Sequence, residues 1–259
     1  HESGCFVIPN PWDIGSARLL AQLGFPALAT TSSGFAWTLG VPDTGATLEE
    51  TLGHQRALSE AVDVPVSADF TNGFARDPEG VAANVAAAAE TGIAGVSIED
   101  STGDDGEPLF DFVLAVERVR AARRAIDESG TRVLLMARSE GFVIGRPDLP
   151  DTIRRLQAYS EAGADCLYAP RLGTIAEIKA VVAAVAPKPV NVLVGSDFTT
   201  VDELAKLGVR RISVGGGLAR VALGAFLGAA KEIAEQGTFT KLAKGIPFAE
   251  IDGAFTRPK

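Results

Sequence analysis

The feature that most constrains this chain is a regular alternation of two kinds of segment. Eight short β-type runs, at 5–9, 27–31, 64–69, 95–100, 132–138, 165–170, 189–194 and 210–216, are followed by stretches whose apolar residues recur at helical spacing. Those helical stretches fall at 15–23, 48–61, 78–91, 112–127, 149–161, 175–186, 201–207 and 220–235. Several stop at a glycine just before the next run, as in LAQLGFPA, AAETGIAG, YSEAGADC and LAKLGVRR, where glycine supplies the left-handed residue that ends a helix. Such alternation implies parallel strands joined by crossover helices. Eight units in 259 residues favour a closed barrel over an open sheet. The expected fold class is therefore α/β, a (β/α)8 TIM barrel forming a single domain over 1–259. The tail at 237–259 departs from the repeat and is expected to be a terminal helix or arm that packs on a neighbouring subunit.

Composition narrows the functional classes. Hydrophobic residues make up 46% of the chain, enough for one large core. A net charge of -9 and the lack of any Lys/Arg run argue against nucleic acid as a partner. No apolar run approaches the ~20 residues of a membrane span, and the opening HESGCFVIPN lacks the basic-then-apolar order of a secretion signal. His1 in place of Met is consistent with a trimmed start. Cys5 and Cys166 are far apart and lack metal-ligand spacing, so a reducing cytoplasm is expected rather than a disulfide or zinc framework. His54 lies in the helical LEETLGHQRAL and is expected to be exposed. With His1 terminal and Cys166 inside a strand, a Ser-His or Cys-His nucleophile is not expected.

In a barrel of this kind chemistry sits where strands end and the βα loops begin. Those positions carry Asn10 with Trp12 and Asp13, the stretch TTSSGFAWTLGVPD ending at Asp43, then Asp69, then Glu99 with Asp100. Next come Arg138 with Glu140, Arg171, Asn191 followed by Gly195 and Ser196, and Ser213 followed by Gly215, Gly216 and Gly217. Carboxylates gathered in one cavity raise each other's pKa unless they share a cation. All-oxygen donors without His or Cys point to a hard ion, Mg2+ or alternatively Mn2+. Asp69 is the first choice as direct ligand, with Glu99 or Asp100 as a second contact or one through water. The competing reading is that strand-end acids cap the next helix or pair with Lys and Arg. Arg138 suits a bidentate grip on a carboxylate or phosphate, or else an ion pair with Glu140. TTSSG offers hydroxyls and N–H groups to a carboxylate, or is ordinary turn chemistry. Asn191 and Ser213 stand at the ends of the seventh and eighth runs as candidate substrate contacts; a strand Asn can equally complete a hydrogen-bond network. The Gly-rich loops after those runs sit where barrels often bind phosphate.

Taken together, NPWDIGSARLLAQLGFPALATTSSGFAWTLGVPD, PVSAD, GVSIED, ARSE, AYSEAGADCLYAP, PVNVL and LGVRRISVGGGLAR resemble the isocitrate lyase/phosphoenolpyruvate mutase superfamily, in family order from about residue 6 to 231. The resemblance implies a (β/α)8 barrel, often with the last helix exchanged between subunits of a homodimer or homotetramer. It also implies Mg2+-dependent chemistry on small 2-oxo or 2-hydroxy carboxylates. Position by position, the substrate-carboxylate loop matches Thr31, Ser32 and Ser33; the acid of the GxxD turn matches Asp43; the metal aspartate matches Asp69; the IED glutamate matches Glu99; and the strand-five arginine matches Arg138. On this match Asp69 and Glu99 hold the metal, Arg138 and the Ser32–Ser33 amides orient the carboxylate, and Asp43 acts on the C3 side.

Two departures bear on the reaction. Where family members carry DGDTGYG, this chain reads DFTNGFA, with Thr71 in place of the second Asp. The loop STGDDGEPLFD, at 101–111, has neither the Lys-Lys-Cys-Gly-His signature of the isocitrate and methylisocitrate lyases nor the lysine of phosphonopyruvate mutases and hydrolases. The expected activity is therefore a Mg2+-dependent carbon-carbon lyase or decarboxylase acting through a metal-stabilised enolate. The alternatives are phosphonate mutase or hydrolase chemistry, a non-catalytic 2-oxo acid binder, and a metal-free phosphate-binding barrel. Asp104, Asp105 and Glu107 lie in a Gly-flanked loop that either gates the site or is plain surface.

Overall fold

The computed structural model of the chain describes residue 1 and residues 3–256; of the expected span 1–259, positions 2 and 257–259 lie outside the described residues. Eight strands run parallel: β1 (Phe6–Ile8), β2 (Leu28–Ala29), β3 (Val66–Asp69), β4 (Gly95–Glu99), β5 (Leu134–Arg138), β6 (Cys166–Tyr168), β7 (Val190–Leu193) and β8 (Arg211–Ser213). They pair in the order β1-β8-β7-β6-β5-β4-β3-β2. The seam between β1 and β2 carries a hydrogen bond from Ala29 N–H to the Pro9 carbonyl at 3.0 Å. The result is a nearly closed (β/α)8 TIM barrel, as the alternation predicts.

The crossover helices are α1 (Ile14–Gln22), α3 (Leu48–Ala61), α4 (Pro78–Ala89), α5 (Phe112–Ser129), α6 (Leu149–Glu161), α7 (Ile175–Val185) and α8 (Val201–Lys206). Their starts are specified locally. Thr47 with Glu50, Thr174 with Glu177 and Thr200 with Glu203 form reciprocal capping boxes, each cap worth about 1 kcal/mol. Asp13, Asp77, Asp111 and Asp148 cap α1, α4, α5 and α6, so at Asp13 the strand-end acid does serve the next helix. Gly24, Gly163 and Gly208 follow their helices with φ of 85°, 103° and 90°, a region L-residues avoid.

Strand alternation divides the interior in two. Ala68, Val96, Ile98, Leu135, Ala137, Leu167, Val190, Val192 and Ile212 belong to the buried core between sheet and helices. The intervening residues Asp69, Ser97, Met136, Arg138, Tyr168, Asn191, Arg211 and Ser213 line a cavity inside the barrel. Placing polar residues on one parity thus builds the site and the core from the same strands.

Two features extend the simple repeat. The stretch after β2 contains a further helix, α2 (Ser32–Thr38), capped by Thr31, whose hydroxyl accepts from Gly34 N–H. A side chain at Gly34 would meet Thr31 Cγ2 at 2.6 Å and Trp12 Cβ at 2.9 Å, so this helix can start here only on glycine. Helix α9 (Gly217–Gln236) is the helix expected after β8, and α10 (Phe248–Phe255) lies in the tail that departs from the repeat. Of α9's residues only Ala219 and Glu232 are buried, and Val221, Phe226, Leu227, Phe239, Ile246 and Phe248 are more than half exposed.

Candidate active site

Strand β3 ends on Asp69, and three neighbours fix its position. Its N–H donates to Thr30 Oγ1 (2.8 Å), its Oδ2 accepts from the Ser32 N–H (3.0 Å), and its Oδ1 accepts from Arg138 Nη1 (2.8 Å). The carboxylate therefore has one orientation, set by β2, α2 and β5 together. The next turn is tight: Thr71, Gly73 and Phe74 all take positive φ, and for the β-branched Thr71 (φ 46°) that conformation is strained. It delivers the Thr71 carbonyl to the Glu99 N–H at 2.9 Å.

Arg138, at the end of β5, is the hub. Its Nη1 lies 2.8 Å from Asp69 Oδ1 and 3.2 Å from Glu99 Oε2, and its Nε 2.9 Å from Glu140 Oε1. Burial by itself would lower the arginine's pKa, but Glu140, Glu99 and Asp69 raise it well above the ordinary guanidinium range. Glu99 shows the converse. Burial pushes its carboxyl well up, Arg138 offsets only part of this, and Glu140, Asp69 and Asp100 push it further. Three carboxylates on one guanidinium leave the cluster short of positive charge.

Two cavities meet at Asp69. One, of about 220 Å³, is lined by Thr31, Ser32, Ser33, Asp43, Asp69, Arg138, Asn191 and Ser213, together with Asn10, Tyr168, Arg171 and Arg211. The other, of about 250 Å³, is lined by Ser32, Asp69, Thr71, Asn72, Glu99 and the start of the 101–111 loop. The site residues expected from the sequence thus gather at one barrel mouth, Glu99 lining the second cavity and the others the first, with Ser32 and Asp69 lining both. Asp43 lies at the exposed rim, where partial burial and the nearby Asp69 charge hold its carboxyl above the usual range, against weaker help from Ser32 and the Thr44 N–H. Thr31 Oγ1 and Ser33 Oγ are 3.1 Å apart, and Asn191 Nδ2 donates to Ser213 Oγ at 2.9 Å.

Among the described residues no group of three or more His, Cys, Asp or Glu is arranged to hold a metal ion. Asp69 and Glu99 nevertheless converge on one Arg138 nitrogen. Two carboxylates with an excess of negative charge fit Mg2+, which takes one or two such ligands and completes its shell with water and substrate oxygens. Asp100 does not belong to that set. Its side chain is turned into the protein, where Oδ2 accepts from Tyr159 Oη (2.7 Å) and Arg155 Nη1 (3.2 Å), and Oδ1 from the Glu140 N–H (2.7 Å). The alternative of Asp100 as metal contact is thereby corrected: Tyr159 and Arg155 on α6 claim it.

His54 also differs from expectation. It is not an exposed helical residue; its ring stacks on Phe35 at 3.9 Å between centroids, and burial lowers its pKa to about 4 against a weak opposing pull from Asp13. Helix α2, which was not legible in the TTSSGFAWTLG stretch, covers it. The 101–111 loop closes on itself: Thr102 N–H donates to the Pro108 carbonyl, Phe110 N–H to the Asp100 carbonyl, and Ser101 bridges Leu109.

Five further contributors had no role assigned from the sequence, although Asn10, Glu140 and Gly216 stand among its strand-end positions. Glu140 accepts from Arg138 and is 3% exposed in its side chain, buried too deep to be a mere surface partner. Asn10 Oδ1 accepts from the Val214 and Gly215 N–H groups (2.9 and 2.8 Å) while its Nδ2 donates to the Thr30 carbonyl, tying the loops after β8 and β2 together. A side chain at Gly216 would lie 2.8 Å from Ser33 Oγ, so that junction requires glycine. Tyr168, whose phenol burial pushes up to about 12, stands 5.1 Å under the Arg138 guanidinium. Arg211 lines the cavity from β8. Period two marks it in the sequence, since it shares the parity of Ser213.

The family model described as phosphoenolpyruvate phosphomutase matches residues 1–234. A solved structure from Burkholderia cenocepacia J2315, assigned only provisionally as a lyase or mutase, is 49% identical, with a TM-score of 0.95 over 99% of this chain and 92% of that one. Oxaloacetate decarboxylase of Bradyrhizobium diazoefficiens is 32% identical over 192 residues, 70% of this chain and 64% of that protein. A phosphonopyruvate hydrolase solved as a complex with oxalate and Mg++ is 25% identical, with a TM-score of 0.84 over 97% of this chain and 91% of that one. With a barrel of eight parallel strands and a family match over nearly its whole length, the chain belongs to the phosphoenolpyruvate phosphomutase family, within the phosphoenolpyruvate mutase/isocitrate lyase superfamily of lyases and mutases.

Proposed function

We propose that the protein is a Mg2+-dependent lyase that breaks a carbon-carbon bond, by retro-aldol cleavage or decarboxylation, in a small 2-oxo or 2-hydroxy carboxylate. The observation that carries this reading is the fixed Asp69 carboxylate shared by two cavities, with Glu99 converging on the same Arg138 nitrogen. Asp69 and Glu99 would hold the ion. Bound there, Mg2+ supplies Lewis-acid stabilisation of the negative charge that develops when a bond at C3 breaks. The remaining work falls to side chains. Thr31, Ser32 and Ser33 receive the substrate carboxylate beside α2, and Arg138 keeps Asp69 and Glu99 in place. Asn191 and Ser213 bound the substrate on the β7–β8 side. Asp43, at the rim, carries or takes the proton on the C3 side. Tyr168 keeps its proton and is a donor rather than a base.

The oxaloacetate decarboxylase relative and the oxalate and Mg++ complex of the phosphonopyruvate hydrolase support the substrate class and the ion. The absence of lysine from 101–111 weighs against phosphonate chemistry. Assembly as a homodimer or homotetramer, through the apolar face of α9 and the tail, completes the reading. The test is steady-state turnover of oxaloacetate, substituted malates, methylisocitrate and phosphonopyruvate, each with Mg2+ and with EDTA. Metal-dependent release of a 2-oxo acid or CO2 from a carboxylate is the expected result. Turnover of phosphonopyruvate alone would move the assignment to phosphonate chemistry, and tight binding without turnover would move it to a binding protein.

A further inference from the structure

Arg211 is a buried charge in the cavity wall whose hydrogen-bonding capacity is mostly unused. It enters the barrel from β8 and is 6% exposed, yet its hydrogen bonding amounts to one 3.3 Å contact from Nη2 to Ser67 Oγ; Nε has no partner. No carboxylate among the described residues forms an ion pair with it, in contrast to Arg138, which has three. Of the titratable groups that act on Arg211, burial keeps the Cys166 thiol protonated, with its pKa at about 11, and the Tyr168 phenol at about 12, while the charged acid, Asp69, is already held by Arg138. A buried guanidinium left so is costly unless an anion completes it. On the paired position of β7, Asn191 is 2% exposed and has one amide atom, Oδ1, without a partner. Either orientation of that amide leaves one of its polar atoms unused, since the Ser213 hydroxyl can donate or accept.

The depth of Arg211 decides what it can read. Its contact, Ser67, lies two residues before Asp69 on β3, roughly 7 Å down the strand. A substrate whose 2-oxo or 2-hydroxy carboxylate sits at the level of Asp69 and Ser32 therefore has its other end free to run down the cavity toward Arg211. We infer that Arg211, with Asn191 beside it, is the specificity-determining anion seat for a second carboxylate, so that the substrate is a short-chain dicarboxylate rather than a monocarboxylate such as pyruvate or lactate. The inference rests on the proposed metal-dependent site at Asp69 for the placement of the first carboxylate. It differs from the role of Arg138, which is already committed to its own three acids.

The experiment compares ligands that share a head and differ by one carboxylate. Calorimetry in Mg2+ measures oxalate, lactate and malate against the wild type, Arg211→Met and Arg211→Lys, each first shown by circular dichroism to be folded. The wild type should prefer malate to lactate. Arg211→Met should weaken malate by roughly thirtyfold or more, the cost of removing one partner of a buried charge pair, with oxalate and lactate little changed. Arg211→Lys, which keeps the charge, should recover part of the preference. Equal losses for oxalate and malate in Arg211→Met, or a malate preference that survives it, would overturn the assignment while leaving the metal site intact. Should Arg211→Met not fold, a wild type that binds oxalate but shows no preference for malate over lactate overturns it equally. A wild type that fails to bind oxalate with Mg2+ would overturn the underlying reading as well.

Discussion

Asp69 Oδ1 accepts a 2.8 Å hydrogen bond from Arg138 Nη1 across the mouth of the barrel, and each residue holds the other in a single orientation. The pair is mostly buried, with side-chain exposures of 18% and 14%. Its strength comes from low local dielectric, and so does its sensitivity to loss of either member.

Arg138→Met should destabilise the fold by about 3–5 kcal/mol, because it strands Asp69, Glu99 and Glu140 without their shared cation. Urea denaturation followed by circular dichroism measures this. A change under about 1 kcal/mol would mean that the carboxylates find other partners.

Asp43→Asn separates binding from chemistry. The side chain sits at the rim and does not hold Asp69 or Arg138 in place, so oxalate affinity and KM should change little. Turnover should fall by about 10²–10⁴-fold, the usual range for loss of a general acid or base. Equal change in kcat/KM and oxalate affinity would assign Asp43 to binding alone.

The stacked His54 makes stability depend on pH. Its folded pKa of about 4 lies below the 6.5 of an unperturbed imidazole, so between those values the unfolded chain binds a proton that the folded chain refuses. The stability associated with neutral His54 is complete above pH 6.5 and declines as pH falls toward 4. The loss is at most about 3 kcal/mol. Chemical denaturation of the wild type and His54→Leu across this window should give curves that converge at low pH. Parallel curves would show that the ring stays accessible to protons.

Helix α9 carries Val221, Phe226 and Leu227 at exposures of 71%, 64% and 51%, an apolar face that its own barrel does not cover. Light scattering should find a dimer or tetramer, and Phe226→Asp should shift it toward monomer. A monomeric wild type at micromolar concentration would refute assembly through this face.

Much of this arrangement is written locally. The barrel follows from apolar periodicity and from caps such as Thr47–Glu50, which bracket α3 at Leu48–Ala61, the span its apolar spacing marks. Asp69, Glu99 and Arg138 are legible because a charged residue ending a buried strand has few places to go. What was hidden depends on contacts between distant segments. Helix α2 forms only because Gly34 lets Thr31 and Trp12 close in, and that helix is what buries His54 under Phe35. Asp100 and Glu99 are adjacent and alike in sequence; strand alternation sends one toward Arg138 and the other to Tyr159 and Arg155. Arg211 reads as part of a basic pair, RR; its parity with Ser213 tells it from Arg210, but only the register of β8 against β7 sets it beside Asn191.

The most direct test of metal-dependent carboxylate chemistry at Asp69 is thermal stabilisation by oxalate, measured with Mg2+ and with EDTA, for the wild type and Asp69→Asn. The account predicts a rise in Tm that requires both oxalate and Mg2+ and vanishes in Asp69→Asn. A shift that persists in EDTA, or that survives the substitution, would contradict it and leave Asp69 as a structural partner of Arg138.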